Sequence, residues 1–293
     1  SRTYMTGGLV NLVRNVLSRL ADGQGDSVIQ LQTPFGGGKT HSLLCLYHLA
    51  KSFPEVNHLE QVKELASAFP SFQGAKVAAF VGTAADPVGG KTPWGEIAYQ
   101  LDCYEVVKEH DQRRVAPGKQ RLREILEKSG PALILIDELL EYIVKANRVE
   151  KMEKITHGQT LSFLHELSEA VAVSGNCALI LALPASVLEQ YDEEAEKALS
   201  QIQKVSGRVE SIYVPVEGME IYEVIRKRLL DDYGDKSVHR KVAEALGDVR
   251  SACTNGKNVM PYVIEAVKAY ASEQEICDVY REVFGEYRDP GFF

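Results

Sequence analysis

Two short stretches of the chain combine glycines with a Lys-Thr pair, a combination that can bind nucleotide phosphates. Residues 33–40 read TPFGGGKT and residues 85–92 read ADPVGGKT. In a phosphate loop, backbone N–H groups at a helix N-terminus point at the anion, the lysine reaches the β- and γ-phosphates, and the Thr hydroxyl ligates Mg²⁺. The strict pattern, Gly or Ala, four residues and then GK[ST], fits the second stretch and fails at Thr33 of the first. The surrounding sequence therefore has to decide between them.

The surroundings favour TPFGGGKT. It directly follows VIQLQ, a short β-branched stretch typical of a strand, and it continues into an apolar helix where His41 has a backbone N–H to offer. ADPVGGKT is followed by Pro93, which lacks that N–H and suits the first turn of a helix. We interpret ADPVGGKT as a surface loop; the alternative for TPFGGGKT is a Gly-rich turn that happens to carry a lysine. The residues predicted to bind the nucleotide are Thr33, Pro34, Phe35, Gly36, Gly37, Gly38, Lys39, Thr40 and His41.

An acidic pair further along the chain supplies the remaining chemistry. The apolar stretch PALILID ends in Asp137, and Glu138 follows it. If this strand ends beside the phosphate loop, Asp137 joins Thr40 in the Mg²⁺ shell and Glu138 polarises an attacking water. The alternative is an ordinary strand end followed by the acidic first turn of a helix.

The elements that position these residues follow an α/β pattern. Short apolar strands alternate with helices, which indicates a parallel sheet covered on both faces, and we predict a three-layer αβα fold. The strands are VIQLQ, KVAAFVGT, PALILID, CALILALP and SIYVPV. From residue 217 onward the pattern is helical, so we predict an ATPase domain over 1–216 and a smaller helical lid over 217–293. Because the chain opens with SRTYM and closes with GFF, we expect a piece of a longer protein in which the lid is cut short.

Composition narrows the function classes. The 293 residues are 45% hydrophobic and 25% charged, with no apolar run near the ~20 residues that span a membrane. The five scattered cysteines favour reduced thiols in a cytoplasmic protein over disulfides or a zinc site. The net charge of −8 does not favour a nucleic-acid groove. Residues 112–123, QRRVAPGKQRLR, form the one candidate nucleic-acid patch, and a solvated loop is the alternative.

The motifs, in this order and with an intervening strand, resemble the additional-strand catalytic-glutamate division of P-loop NTPases, and within it the AAA+ type. The wording QTPFGGGKTHSLLCLYHLA, with WGEIAYQL, LILIDELLEY and EIYEVIRKRLL, is similar to the prokaryotic domain-of-unknown-function family 499 over about residues 2–230. Members of that family resemble large ATPases, often encoded near DNA methyltransferases or in phage-defence neighbourhoods. The resemblance implies that the chain hydrolyses ATP with Mg²⁺.

The resemblance also implies roles for individual residues. Lys39 and Glu138 would be catalytic. CALILALP would be the sensor strand between the strands of the phosphate loop and the acidic pair, with Ser186 orienting the water; the alternative for Ser186 is a helix N-cap. Arg208 would be an arginine finger towards a neighbouring subunit, or else a surface arginine. Thr83 would hold Glu138 in an inactive rotamer. No arginine of the helical region stands out as a second sensor.

We therefore expect an ATPase that remodels a nucleic-acid or protein partner, through a ring or another homo-oligomer. The rival hypothesis is a nucleotide-dependent switch or scaffold that binds ATP and turns it over little. A small-molecule kinase shares the phosphate loop, but the LILIDE strand and the long helical tail favour the ATPase.

Overall fold

The computed structural model describes residues 5–33, 38–148, 157–184, 199–200, 202, 211–213 and 236–285. Its described part contains a five-stranded sheet in which every pairing is parallel. Helices cover both faces, so the predicted three-layer αβα class is confirmed. The strands are β1 (Val28–Thr33), β2 (Lys76–Val81), β3 (Ala132–Asp137), β4 (Cys177–Pro184) and β5 (Ser211–Tyr213).

The helices alternate with the strands along the chain, as the sequence pattern predicted. Those before β3 are α1 (Gly7–Asp22), α2 (Lys39–Lys51), α3 (Phe53–Val56), α4 (Glu60–Ser67), α5 (Pro93–Gln100), α6 (Lys108–Arg113) and α7 (Lys119–Ser129). After β3 come α8 (Leu139–Arg148) and α9 (His157–Val173). The short helices α3, α4 and α6 were not predicted.

The order of the strands brings the predicted site together. The sheet runs β2-β3-β4-β1-β5, so β4 lies between the strand of the phosphate loop and the strand of the acidic pair, as the resemblance implied. Pro184 pairs with Thr33, and Val81 pairs with Asp137. Because parallel strands end at the same edge of a sheet, the carboxyl ends of β1, β2, β3 and β4 lie along that edge.

Two hydrophobic layers fix this arrangement. Alternate residues of a strand point to opposite faces, so Ile134 and Ile136 pack into one layer, whereas Leu133 and Leu135 pack into the other. The first layer includes α5, α7, α8 and α9, and the second includes α1, α2 and α4. Burial on both faces explains why the strands read as continuous apolar runs.

The chain forms two compact units, Thr3–Val224 and Ile225–Phe293. In the smaller unit the structure describes α10 (Lys236–Thr254), α11 (Met260–Lys268) and α12 (Glu273–Phe284). Their small shared core consists of Val249, Cys253, Ala266, Ala271, Ile276 and Val279. The boundary at 216/217 and the role of residues 217–293 as a lid stay predictions.

Within the described residues, no helix combines the length and the apolar character needed to cross a membrane.

Candidate functional site

The first GGKT stretch joins a strand to a helix, as predicted. β1 ends at Thr33 and α2 begins at Lys39. Gly38 caps the helix with φ 84° and ψ 12°, a left-handed conformation that favours glycine. Because the N-cap residue is a glycine, it supplies no side-chain acceptor to the first turn of α2. A strand, a glycine cap and a helix N-terminus in this order are the setting in which phosphate loops bind anions.

The central contact of the site joins Thr40 and Asp137. The Thr40 hydroxyl donates a hydrogen bond of 3.0 Å to Oδ2 of Asp137. Thr40 belongs to the first turn of α2, and Asp137 is the last residue of β3, two strands away in the sheet. The fold thus brings a hydroxyl and a carboxylate from distant parts of the sequence into contact, and oxygen donors of this kind suit Mg²⁺.

The electrostatics around Asp137 reflect its burial. Burial raises the pKa of the Asp137 carboxyl above its ordinary value, and the neighbouring Glu138 charge adds to the rise. The Thr40 hydrogen bond and the positive charge of Lys39 act in the opposite direction on this pKa. Lys39 is therefore close enough to the carboxylate to affect it. A second positive charge, such as a metal ion, would relieve the remaining cost of the buried carboxylate.

Glu138 leaves the strand in an unusual backbone conformation. Its φ is 53°, which few residues other than glycine adopt, and its side chain is exposed at the end of the sheet. The Thr83 hydroxyl donates a hydrogen bond to Oε2 of this carboxylate. Thr83 stands just beyond β2, so the contact crosses from the edge strand to its neighbour. The resemblance alone implied a contact between Thr83 and Glu138, and the two side chains are hydrogen-bonded.

The geometry also involves two residues that sequence reasoning missed. The Gly82 N–H donates to the Asp137 carbonyl at 2.9 Å, and Lys145 of α8 donates to the Thr83 carbonyl at 2.6 Å. Neither residue belongs to a recognisable motif. The helical periodicity of the sequence predicts that Lys145 lies on the polar face of an amphipathic helix, and nothing in the sequence distinguishes it from other lysines.

Several predicted site residues lie outside the described residues. They are Pro34, Phe35, Gly36, Gly37, Ser186 and Arg208. His41, in the first turn of α2, is half-buried. The roles assigned to these residues stay predictions.

The second GGKT stretch is held by the protein's own side chains. Thr92 caps α5 by accepting a hydrogen bond from the Gly95 N–H at 3.1 Å. Its hydroxyl and its N–H also donate to Oδ1 of Asp111, at 2.6 Å and 2.8 Å. Arg114 holds the loop by donating to the carbonyls of Val88 and Gly90 at 2.6 Å and 2.8 Å. The loop therefore offers a phosphate little that is not already satisfied.

The candidate nucleic-acid patch is largely paired within the chain. Lys119 lies 3.2 Å from Glu169, and Arg121 lies 3.1 Å from Glu124. Arg123 lies 3.6 Å from Glu127 along the same helix. Pairing of this kind favours the alternative, a solvated surface.

The donor set around Asp137 fits Mg²⁺ better than a metal that is held by protein ligands alone. In the part of the chain that the structure describes, no group of three or more His, Cys, Asp or Glu side chains could hold a metal ion. Mg²⁺ commonly takes one or two protein ligands and fills its octahedron with phosphate oxygens and water. The Asp137 carboxylate and the Thr40 hydroxyl match that requirement.

Comparison with known proteins divides the chain into two parts. The methylmalonyl-CoA mutase profile matches residues 210–286. The ethylmalonyl-CoA mutase of Methylorubrum extorquens is 38% identical over 71 residues, which are 24% of this chain and 10% of the relative. That of Cereibacter sphaeroides is 49% identical over 49 residues, which are 17% of this chain and 8% of the relative. The chain thus spans a tenth or less of the curated relatives it matches.

The larger unit is similar to a different family. The profile of the DUF499 N-terminal domain matches residues 1–221, which contain β1 to β5, Lys39 and the acidic pair. This match covers well over half of the sequence. The chain therefore belongs to the DUF499 family.

Proposed function

We propose that the chain is an ATPase module that hydrolyses ATP with Mg²⁺. The observation that carries the proposal is the 3.0 Å hydrogen bond between the Thr40 hydroxyl and the Asp137 carboxylate, directly beside Glu138. A Gly-rich turn without catalytic chemistry would have no need of a buried carboxylate at this place. The raised pKa of Asp137 is consistent with a site that a cation completes.

Each residue of the site has a role in this proposal. The N–H groups at the start of α2 bind the phosphates, Lys39 neutralises the β- and γ-phosphate charge, and Thr40 with Asp137 hold Mg²⁺. When bound, the metal neutralises charge that develops on the phosphate oxygens. Glu138 accepts a proton from the attacking water. Because this carboxylate accepts a hydrogen bond from Thr83, it has to exchange that bond for one to water.

The wider role follows from the resemblance to AAA+ proteins. We propose a homo-oligomer in which Arg208 reaches a neighbouring subunit and Ser186 orients the water. Hydrolysis would drive remodelling of a nucleic-acid or protein client, in a DNA-modification or phage-defence system. Five free cysteines support a reducing, cytoplasmic setting. We propose no mutase activity, because the mutase-like stretch is a tenth or less of those relatives.

The substitution Glu138→Gln tests the proposal. It removes the proton acceptor and keeps the size of the side chain, so ATP affinity should stay within about twofold while turnover falls roughly 10²- to 10⁴-fold. Glu141→Gln, in the first turn of α8, is the matched control and should hydrolyse ATP like the wild type. Phosphate release and binding of a fluorescent ATP analogue measure the two quantities. Wild-type turnover in Glu138→Gln would overturn the assignment.

The rival, a switch with little turnover, makes a different prediction. A switch changes its mass in solution when ATP binds, and neither Glu138→Gln nor added DNA or RNA changes phosphate release. A remodelling ATPase instead accelerates when its client is present. Measuring turnover with and without nucleic acid, beside mass with and without ATP, separates the two hypotheses.

A further inference from the structure

We propose that Lys145 is a positioning residue that keeps Glu138 inactive by holding the turn formed by Gly82 and Thr83. The inference rests on the proposed function, since it concerns the regulation of the same site. It adds a residue that neither the phosphate-loop pattern nor the acidic pair points to. Its basis is a set of contacts between the end of β2 and the start of α8.

The side chain of Lys145 binds the backbone carbonyls of the turn. Its ammonium group donates to the Thr83 carbonyl at 2.6 Å and lies 3.4 Å from the Gly82 carbonyl. It stands about two helical turns after Glu138, so both residues belong to the same segment of chain. Hydrogen bonds that involve a charged donor are stronger than neutral ones. Lys145 of α8 therefore binds the backbone of Thr83, the residue whose hydroxyl donates to Glu138.

The absence of a side chain at Gly82 allows the turn to lie close to the start of α8. A Cβ atom at Gly82 would lie 1.9 Å from the Glu138 carbonyl oxygen and 3.1 Å from Cβ of Tyr142. Real Cβ atoms do not approach other atoms at the first of these distances, so the turn packs directly on the backbone of Glu138 because residue 82 has no side chain. The Gly82 N–H also continues the pairing with β3 through the Asp137 carbonyl, at 2.9 Å.

The rest of the loop does not depend on Lys145. Arg114 holds the carbonyls of Val88 and Gly90, and Asp86 accepts the N–H groups of Val88 and Gly89. Loss of Lys145 should therefore loosen Thr83 locally and leave the loop in place. A looser Thr83 binds the Glu138 carboxylate less well, so the carboxylate reaches the attacking water more often.

Four variants of the full chain test this inference: Thr83→Val, Lys145→Met, their combination and Lys145→Arg. Thr83→Val removes the hydroxyl and should raise the turnover number about tenfold, the effect of losing one modest hydrogen bond. Lys145→Met should raise it about threefold, because it weakens the same bond without removing it. The double variant should match Thr83→Val, and Lys145→Arg should behave like the wild type. ATP affinity should be unchanged in all four.

A merely structural role would give a different result. If Lys145→Met leaves turnover unchanged or lowers it, or if its effect multiplies that of Thr83→Val, the inference is overturned while the ATPase proposal stands. Failure of the proposed function itself would appear as wild-type turnover in Glu138→Gln. Trp94, the only tryptophan, reports whether each variant is folded. If the methionine variant does not fold, Lys145→Gln replaces it and carries the same expectation.

Discussion

The two GGKT stretches end in the same four letters and differ in what the fold does with the threonine. Thr40 is exposed and donates to Asp137 at the edge of the sheet. Thr92 is 0% exposed, and its hydroxyl serves both the Gly95 N–H and the Asp111 carboxylate. The first threonine can therefore exchange its partner for a metal ion, whereas the second is part of the protein's core structure.

The helices that follow the two stretches, α2 and α5, differ in how their N-termini are capped. Gly38 caps α2 in a left-handed conformation and supplies no side-chain acceptor to its first turn. Thr92 caps α5, and Pro93 removes one of the amide groups altogether. The same four letters thus start one helix from a glycine and the other from a threonine that caps it with its own side chain.

The lysines complete the contrast. Lys39 is close enough to Asp137 to affect its pKa. The ammonium group of Lys91 lies 4.3 Å from the centre of the Tyr99 ring, on the surface of α5. Contacts of this kind at exposed sites are worth about 0.5–1 kcal/mol. One lysine therefore lies near the acidic pair, and the other lies against a tyrosine of the helix that follows its loop.

The largest expected difference between the stretches comes from replacing their lysines. Lys39→Met removes the charge that the β- and γ-phosphates need, so ATP binding should be lost and turnover should fall by roughly 10²- to 10³-fold. Lys91→Met should leave both within about twofold and cost less than ~1 kcal/mol of stability. Isothermal titration with ATP and Mg²⁺, together with phosphate release, measures the effects. Loss of binding in Lys91→Met alone would reverse the assignment of the two loops.

Replacing the threonines should separate stability from function. Thr92→Val removes a helix cap, leaves the Gly95 N–H without its acceptor and takes one hydrogen bond from the buried Asp111 carboxylate, so it should destabilise the larger unit by roughly 2–3 kcal/mol. Thr40→Val removes a single hydrogen bond to the Asp137 carboxylate from an exposed position and should destabilise the larger unit by about 1 kcal/mol or less. It should instead abolish the stabilisation that ATP with Mg²⁺ gives.

Urea unfolding followed by the fluorescence of Trp94 measures both variants, since this tryptophan is the residue next but one to Thr92 and is fully buried. The control is the same titration with ATP and Mg²⁺ present. Equal destabilisation by the two substitutions would mean that Thr40 is as structural as Thr92, and the contrast between the loops would fail.

The parts of this molecule that the sequence predicts are those with strong local signals. The strands are continuous apolar runs, and Thr6 stands where its hydroxyl caps α1, accepting from the Leu9 N–H at 3.1 Å. Pro93 predicted the start of α5 because proline tolerates the first turn of a helix. Signals of this kind require only neighbouring residues.

What the sequence does not predict depends on contacts between distant residues. Asp111 holds Thr92 from a short helix that no periodicity revealed, and its hydrogen bond raises the pKa of Tyr104 to about 12. Gly82 acts through its backbone N–H, and the ammonium group of Lys145 binds backbone carbonyls that any residue type would supply, so no motif marks either contact. The likeness of residues 210–286 to methylmalonyl-CoA mutase was missed because an amphipathic helical pattern is common to many folds.

Replacing Asp137 or Asp111 should give the smallest expected effect, a change in stability that should have opposite signs at the two sites. Burial raises the pKa of Asp137 above its ordinary value of 3.8, so the folded protein binds a proton there more tightly than the unfolded chain does. The free-energy cost of keeping the carboxylate charged therefore grows as pH rises from the pKa of the unfolded chain to the pKa of the folded protein. Above the folded-state pKa the cost is complete. Asp137→Asn should stabilise the chain at neutral pH by roughly 0.5–2 kcal/mol, and this gain should shrink as pH falls towards the unfolded pKa.

Asp111→Asn should destabilise the chain, because Thr92 and Tyr104 both donate to that carboxylate. Urea titrations at neutral pH and at the lowest pH where the chain stays folded measure both variants without nucleotide. If Asp137→Asn is as destabilising as Asp111→Asn, the Asp137 carboxylate contributes to the fold and is not held at a cost for a cation.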